Sequence, residues 1–193
     1  VCKHCTHAGC LDVCPTGAMF RTEFGTVVVQ DDVCNGCGTC VAGCPFGVVE
    51  RRSDGTVATP AGSRDPKHGI AQKCTLCYDR LVEGQTPACA KTCPTTSIKF
   101  GDHDDLVVRA RERVAQLHAQ GLTEARLYGA NEQDGVGGTG SVFLLLDEPE
   151  VYGLPPDPRV CTADLMTMYR RAGVAALGMV AAVAFSFLQG GRA

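Results

Sequence analysis

Twelve of the thirteen cysteines in this 193-residue chain fall into three groups of four, and every group ends in Cys-Pro. The first is Cys2, Cys5, Cys10 and Cys14-Pro15, the second Cys34, Cys37, Cys40 and Cys44-Pro45, and the third Cys74, Cys77, Cys89 and Cys93-Pro94. Any fold this chain adopts must therefore gather sulfur. The middle group has the C-x2-C-x2-C-x3-C-P run, in which three thiolates hold one 4Fe–4S cubane and the fourth reaches a neighbouring one. Such a pattern marks a conductor of electrons.

The spacing follows from the chemistry. A cubane needs four thiolates converging on the corners of a compact cluster. A tight loop delivers three of them at i, i+3 and i+6 where small residues let the backbone wrap closely. Asn35, Gly36, Gly38 and Thr39 stand between the middle ligands, and glycine admits backbone angles that other residues resist. Loop N–H groups that point at sulfur help set the reduction potential. The fourth cysteine follows a helical turn later, and the proline behind it, lacking an N–H and fixed in φ, turns the chain out of the site.

Three other uses of cysteine fit less well. Structural zinc takes Cys-x2-Cys pairs, two per ion, rather than triplets followed by Cys-x3-Cys-Pro. Disulfide scaffolds suit short secreted chains, whereas these cysteines crowd into loops too tight to pair easily. Redox sensing by free thiols does not need twelve cysteines in this order. Composition adds that the chain is nearly neutral, with a formal charge of −3 and no tryptophan. Nothing in it has the basic excess of a nucleic-acid binder or the charge block of a disordered tail. The few aromatics suit a small core built around inorganic clusters. The chain opens on Val1 and reaches a ligand at once, so we expect an N-terminus that has lost residues, with any signal peptide out of view.

Each of the first two cysteine groups is followed by a hairpin signal. Segments 18–20 and 26–29 flank Glu23-Phe24-Gly25, and segments 48–50 and 56–58 flank Ser53-Asp54-Gly55, a loop–helix–hairpin order repeated twice. Residues 59–69 read as a surface loop, and 76–82 and 89–93 as short helical turns. Residues 102–120 have a helical pattern, with Leu106, Ala110, Val114 and Leu117 on one face and Gly121 at the end, and read as a packing helix over the cluster region. Residues 125–128 and 142–146 predict short strands. The glycine-rich stretch 135–140 between them lacks the Lys-Ser/Thr ending and following helix of a phosphate cradle, so it reads as a turn. Pro155-Pro156-Asp157-Pro158 reads as a stiff exit from the globular part.

At the C-terminus, residues 172–188 carry no charge and are rich in Ala, Val, Leu and Phe, with Arg170-Arg171 before them and Arg192 after. At about 1.5 Å per residue this is marginal for a bilayer core of roughly 30 Å, and Met168, Tyr169 and residues 189–191 extend it if the arginines snorkel. Apolar character on every face favours a membrane anchor over a helix buried in a partner.

Together these residues amount to a resemblance. The run from Cys2-Lys3-His4-Cys5 through Cys10 and Cys14-Pro15-Thr16-Gly17-Ala18, the eleven residues between Cys77 and Cys89, and Pro149-Glu150-Val151-Tyr152-Gly153-Leu154-Pro155 resemble the iron–sulfur beta subunit of membrane-bound respiratory formate dehydrogenases. Related four-cluster subunits serve dimethyl sulfoxide, polysulfide, nitrite or nitrate systems with the same cysteine plan, generally without the Tyr-Gly-Leu-Pro segment and single terminal helix. The resemblance implies an α+β, double ferredoxin-like 4Fe–4S domain with a C-terminal transmembrane helix. Its implied divisions are a cluster region at 1–100, a helix-plus-strand docking extension at 101–160, and an anchor at 161–193.

It further implies crossed ligands. Cys2, Cys5, Cys10 and Cys44 hold one cubane, and Cys34, Cys37, Cys40 and Cys14 the next. Cys74, Cys77 and Cys89 serve a third whose fourth ligand is missing here, and Cys93 serves the cluster of a missing N-terminal motif. Two clusters would then be complete in this fragment and four in the full-length subunit. The implied role is non-catalytic: electrons pass from a molybdenum or tungsten pterin subunit that oxidises formate to a cytochrome b membrane subunit and quinone, with no substrate or nucleic acid bound here. Positive-inside counting over Arg159, Arg170 and Arg171 against Arg192 puts the cluster domain in the cytoplasm. The resemblance puts it on the outer side, and we follow the resemblance because a pre-folded domain carried across whole escapes that rule. A zinc-binding or redox-sensing module is the competing class. The 50–73 loop is longer than the resemblance implies and suggests no function. Cys161 reads as a free thiol. His4 and His7 stand where a ligand could, beside cysteines already sufficient. Lys3 is either a solvated cation or one that raises a cluster's potential.

Overall fold

The short connections between cysteines leave room for only single turns of helix, and the structure is built from them. The computed structural model describes residues 1–52 and 69–190, and the chain divides into two compact units, Val1–Val160 and Cys161–Ala193.

In the first unit, α1 (Gly9–Asp12) leads into an antiparallel pair, β1 (Met19–Arg21) with β2 (Val27–Val29), in the register Met19 to Val29 and Arg21 to Val27. The turn closes because Gly25 adopts φ 72°, and the Thr22 and Thr26 hydroxyls meet at 2.8 Å. The same order then repeats: α2 (Thr39–Ala42) precedes β3 (Glu50–Arg51), which pairs with β4 (Ala71–Gln72). The expected partner strand of the second hairpin, at 56–58, lies outside the described residues, as does most of the expected 59–69 loop. Nineteen residues separate the two strands that pair.

The two repeats meet at a pair of glycines. A Cβ on Gly9 would sit 2.6 Å from the Gly43 carbonyl oxygen, so only glycine lets α1 and α2 approach this closely. Around this contact lies a core of Ala8, Ala18, Met19, Val27, Val49, Ile70 and Ala71, together with Cys34 and Cys40. Cys5, Cys10, Cys14 and Cys44 pack against it. Val27 and Val49 are each 1% exposed, and burying a side chain of this size stabilises by about 1.5–3 kcal/mol.

Two short helices, α3 (Tyr78–Val82) and α4 (Ala88–Thr92), carry the third cysteine group. Then α5 (His103–Ala119) begins at Asp102, whose carboxylate accepts the N–H groups of Asp104 and Asp105. It ends before Gly121 at φ 87°. Its buried face carries Val107 and Leu117, with Leu106, Ala110 and Val114 half-buried beside them. Antiparallel strands β5 (Arg126–Tyr128) and β6 (Phe143–Leu145) follow, matching the expected segments.

The glycine-rich stretch is more than a turn. It runs against the first cysteine loop: Thr6 N–H bonds Gly138 O, His7 N–H bonds Val136 O, Gly140 N–H bonds His4 O and Ser141 N–H bonds Lys3 O, all within 2.8–3.1 Å. Its glycines are required, since a Cβ on Gly137 would lie 2.3 Å from the His7 ring. Nor does the proline segment exit. Tyr128 donates to Pro155 O at 2.7 Å, Gly135 bridges Arg159, and Val160 is 2% exposed.

The second unit contains α6 (Leu165–Gly190), 26 residues whose most apolar 18-residue window has mean hydropathy 1.8. It is about 39 Å long at 1.5 Å per residue, enough to cross a bilayer by length and composition. Arg170 and Arg171 lie within it rather than before it. The side chains of Val174, Leu177, Met179, Phe185 and Phe187 are all exposed.

Candidate metal centre

All thirteen cysteines are free thiols. Among the first eight, thiols of one repeat act on those of the other. Burial pushes the Cys5 thiol up to about 12, with Cys2, Cys10 and Cys44 adding to the shift. Cys10 is pushed up to about 11, again by burial first, against the opposing cation Lys73 and with help from Cys2, Cys44 and Cys40. Cys44 thus acts on the loop of the first repeat, because the Gly9–Gly43 contact sets the turns holding Cys10 and Cys44 side by side.

The reciprocal set forms a pocket lined by Cys14, Cys34, Cys37 and Cys40, with Ala18, Met19, Val29 and Ala71 among its apolar walls. Among the described residues, its lining side chains are uncharged. Burial raises the Cys40 thiol, and Cys34, Cys14 and Cys37 contribute. The Thr39 hydroxyl, 3.2 Å from Cys37 Sγ, and the Thr39 N–H hold Cys37 below its ordinary value. Gly36 and Gly38 take φ 69° and 81°, the left-handed angles that let this loop wrap inward.

The third group is more open. Cys74 and Cys89 are exposed and Cys77 half-buried. Leu76 N–H lies 3.4 Å from Cys74 Sγ, and Ala88 N–H, opening α4, lies 3.5 Å from Cys77 Sγ, so the loop at 74–77 and the turn bearing Cys89 are adjacent. Leu76 and Cys77 hold positive φ of 57° and 52°, a strained geometry for non-glycine residues. Cys93 stays with its own loop, 3.1 Å from Ser97 Oγ and 3.5 Å from Thr95 Oγ1, and these hydroxyls bring its thiol down to about 6. Cys161 is exposed in the second unit.

These donors fit 4Fe–4S clusters. Thiols as buried as Cys5 and Cys10 hold their protons in an apolar site and give them up to a metal, because a coordinating thiol is deprotonated outright. Among the described residues, no three or more His, Cys, Asp or Glu side chains gather around one point as a single ion requires. When bound, such a cluster accepts and releases one electron at a time. The chain supplies thiolates, N–H and O–H groups directed at sulfur, and apolar walls that exclude water.

Three residues around the first set were not legible as a group. Lys3 is 6% exposed, with Nζ 4.0 Å from the Phe143 ring centroid, so it is not the solvated cation of one sequence reading. Burial lowers its pKa, while Cys2, Cys5 and Cys44 oppose the shift. Lys73 bonds the Val27 carbonyl and acts on Cys10, although 63 positions separate them. Arg21 donates to Cys5 O and Thr6 O at 2.7 and 2.8 Å and ties the first hairpin to the loop. His4 is 3% exposed, with Nδ1 accepting the Val27 N–H at 3.0 Å. Its pKa falls to about 4 through burial and then through Lys73 and Arg21. His7 is exposed.

Residues 1–103 match the family described as a 4Fe-4S dicluster domain. The chain belongs to that family. It is 43% identical over 163 residues to the formate dehydrogenase iron–sulfur subunit of Haemophilus influenzae, covering 82% of this chain and 47% of that one. It is 40% identical over 188 residues to the nitrate-inducible formate dehydrogenase iron–sulfur subunit of Escherichia coli, covering 95% and 58%. The thiosulfate reductase electron transfer subunit of Salmonella typhi is 45% identical over only 105 residues, 54% of this chain and 48% of that one. The chain spans about half the length of the curated relatives it matches.

Proposed function

We propose that this chain is the iron–sulfur subunit of a formate dehydrogenase and relays electrons without performing bond chemistry. The reading is supported by the close approach of the two repeats at Gly9 and Gly43, each followed directly by a cysteine, and by the pocket that Cys14 lines with Cys34, Cys37 and Cys40. Cys2, Cys5, Cys10 and Cys44 hold one cluster, and Cys34, Cys37, Cys40 and Cys14 hold a second. Cys74, Cys77 and Cys89 supply ligands to a third, and Cys93 to a fourth, in a double ferredoxin-like layout. Likeness to the formate dehydrogenase subunits runs well past the cluster region, through 163–188 aligned residues, whereas that to the thiosulfate reductase subunit spans 105. That difference supports formate as the electron source.

In the complex, formate loses two electrons and a proton to become carbon dioxide on a molybdenum or tungsten pterin subunit. This chain passes the electrons singly, and a cytochrome b membrane subunit delivers them with two protons to quinone. Helix α6 anchors the chain, with the cluster domain on the outer side of the cell membrane. The purified chain with its clusters is expected to be reduced by dithionite and to ignore formate. Adding the pterin subunit makes formate bleach the cluster absorbance, and failure to bleach, or bleaching by the isolated chain, defeats the reading. Protease added to intact spheroplasts is expected to digest the cluster domain, and protection until lysis would place it inside.

A further inference from the structure

Among the described residues, two buried side-chain nitrogens lack a hydrogen-bond partner, and one of them is Nε2 of His4. The other ring nitrogen fixes its chemistry. Nδ1 accepts the backbone N–H of Val27 at 3.0 Å, and a backbone amide can only donate, so Nδ1 carries no proton. The ring proton must therefore lie on Nε2. His4 thus presents an N–H donor that is sealed from water, its residue 3% exposed.

The ring is also held in place. His4 has φ 49°, a left-handed angle, and its carbonyl accepts Gly140 N–H at 3.1 Å, while the preceding Lys3 carbonyl accepts Ser141 N–H at 3.1 Å. The glycine-rich strap and strand β2 therefore grip the residue from two sides. It lies between Cys2 and Cys5, inside the loop that supplies two ligands of the first set. A buried donor without an acceptor is costly and rare in folded proteins, and the remaining acceptor that this loop is built to receive is sulfur.

We propose that His4 Nε2–H donates a hydrogen bond to a sulfur of the cluster held by Cys2, Cys5, Cys10 and Cys44, and so raises that cluster's reduction potential. The inference rests on the cluster reading above. A hydrogen bond to sulfur stabilises the reduced, more negative state, which is how donors around a cluster tune it. His4 then acts as a positioning residue for charge and not as a ligand.

The test uses the full chain carrying its clusters. Absence of iron and acid-labile sulfide at this stage would defeat the cluster reading itself, separately from His4. Pulsed electron spin resonance on the reduced protein, grown with 15N-labelled histidine, is expected to show 15N coupling and an exchangeable proton at the first cluster. Potentiometric titration then compares two variants. His4→Asn keeps an oxygen near the Nδ1 position for Val27, tolerates the left-handed angle, and lacks the reach of Nε2. It is expected to lower the reduced-to-oxidised ratio of the first cluster about tenfold at fixed potential, equivalent to about 59 mV for one electron, leaving the second cluster unmoved. His4→Gln, whose amide reaches the Nε2 position, is expected to recover part of that loss. Cysteine variants assign the two signals. An unmoved potential in His4→Asn, or an exchangeable proton with no 15N coupling, as a buried water would give, overturns the proposal. If His4→Asn fails to assemble the cluster, the 15N measurement on the unmutated protein decides alone.

Discussion

Replacing Gly9 by Ala tests whether backbone contact between the repeats is what assembles the first cysteine set. The new Cβ would lie 2.6 Å from the Gly43 carbonyl oxygen and 3.0 Å from Val160 Cγ1. Ordinary contact begins near 3.4 Å, so α1 and α2 must part by roughly 0.8 Å. A carbonyl oxygen cannot rotate away as a side chain can. Overpacking of this kind costs about 1–3 kcal/mol, and the better helix propensity of Ala returns at most about 1 kcal/mol, less in a helix of one turn. The net loss is about 1–2 kcal/mol. With a urea dependence of about 2 kcal/mol per molar, the midpoint for bleaching of cluster absorbance falls by roughly 0.5–1 M. The signal from Cys2, Cys5, Cys10 and Cys44 weakens first, because Cys10 follows Gly9 and Cys44 follows Gly43 directly. Gly43→Ala is the milder comparison: its Cβ meets Val13 Cγ2 at 2.7 Å, but the backbone it meets, the Gly9 carbonyl oxygen, is 3.2 Å away rather than 2.6 Å, so its effect is smaller. Equal or greater damage from Gly43→Ala, or none from Gly9→Ala, would refute the argument.

The crossing of ligands predicts that Cys14→Ser removes the spin-resonance signal of the Cys34, Cys37 and Cys40 cluster, while Cys44→Ser removes that of Cys2, Cys5 and Cys10; single-variant spectra read this directly. Lys3→Met takes a buried cation from beside the first set and is expected to lower that cluster's midpoint by on the order of tens of millivolts, measured by potentiometric titration against an unmoved second cluster. Asp102→Ala deletes the cap that receives two N–H groups of α5 and is expected to cost about 1 kcal/mol, read as a lower thermal midpoint for helical circular dichroism.

Legibility in the sequence tracked how local each signal was. The helix expected at 102–120 appears as His103–Ala119, because its start and stop are written in adjacent residues, the Asp102 carboxylate and Gly121. The first hairpin is local in the same way, closed across Thr22 and Thr26. The pairing of Glu50–Arg51 with Ala71–Gln72, twenty residues on, is not local, and no signal beside Glu50 announces it. The strap at 135–141 could not be read as a strand at all. Its partner is the loop at 3–7, some 130 positions away, and glycines chosen for close approach carry no alternating pattern. Lys73 is similar: nothing in its neighbours says that it will stand beside Cys10.

That strap also explains how two copies of one motif come to differ. Both repeats supply a cysteine loop, a turn of helix and a strand pair, and by themselves would offer two equivalent sites. Among the described residues, the segment from β5 to Val160 runs against the loop of the first. It brings Phe143 against Lys3 and caps the backbone of Lys3 and His4, so a cation and a fixed N–H donor are buried there. Among the described residues, the pocket of Cys14, Cys34, Cys37 and Cys40 is lined by uncharged side chains, with Arg51 beside its Gly38. A cation and a donor both favour the reduced state, so the first site should accept an electron more readily than the second. On the proposed ligand sets, the region after Leu122 is therefore more than packing for α5: by burying Lys3 and His4 it gives the first site a cation and a donor that shift its potential relative to the second.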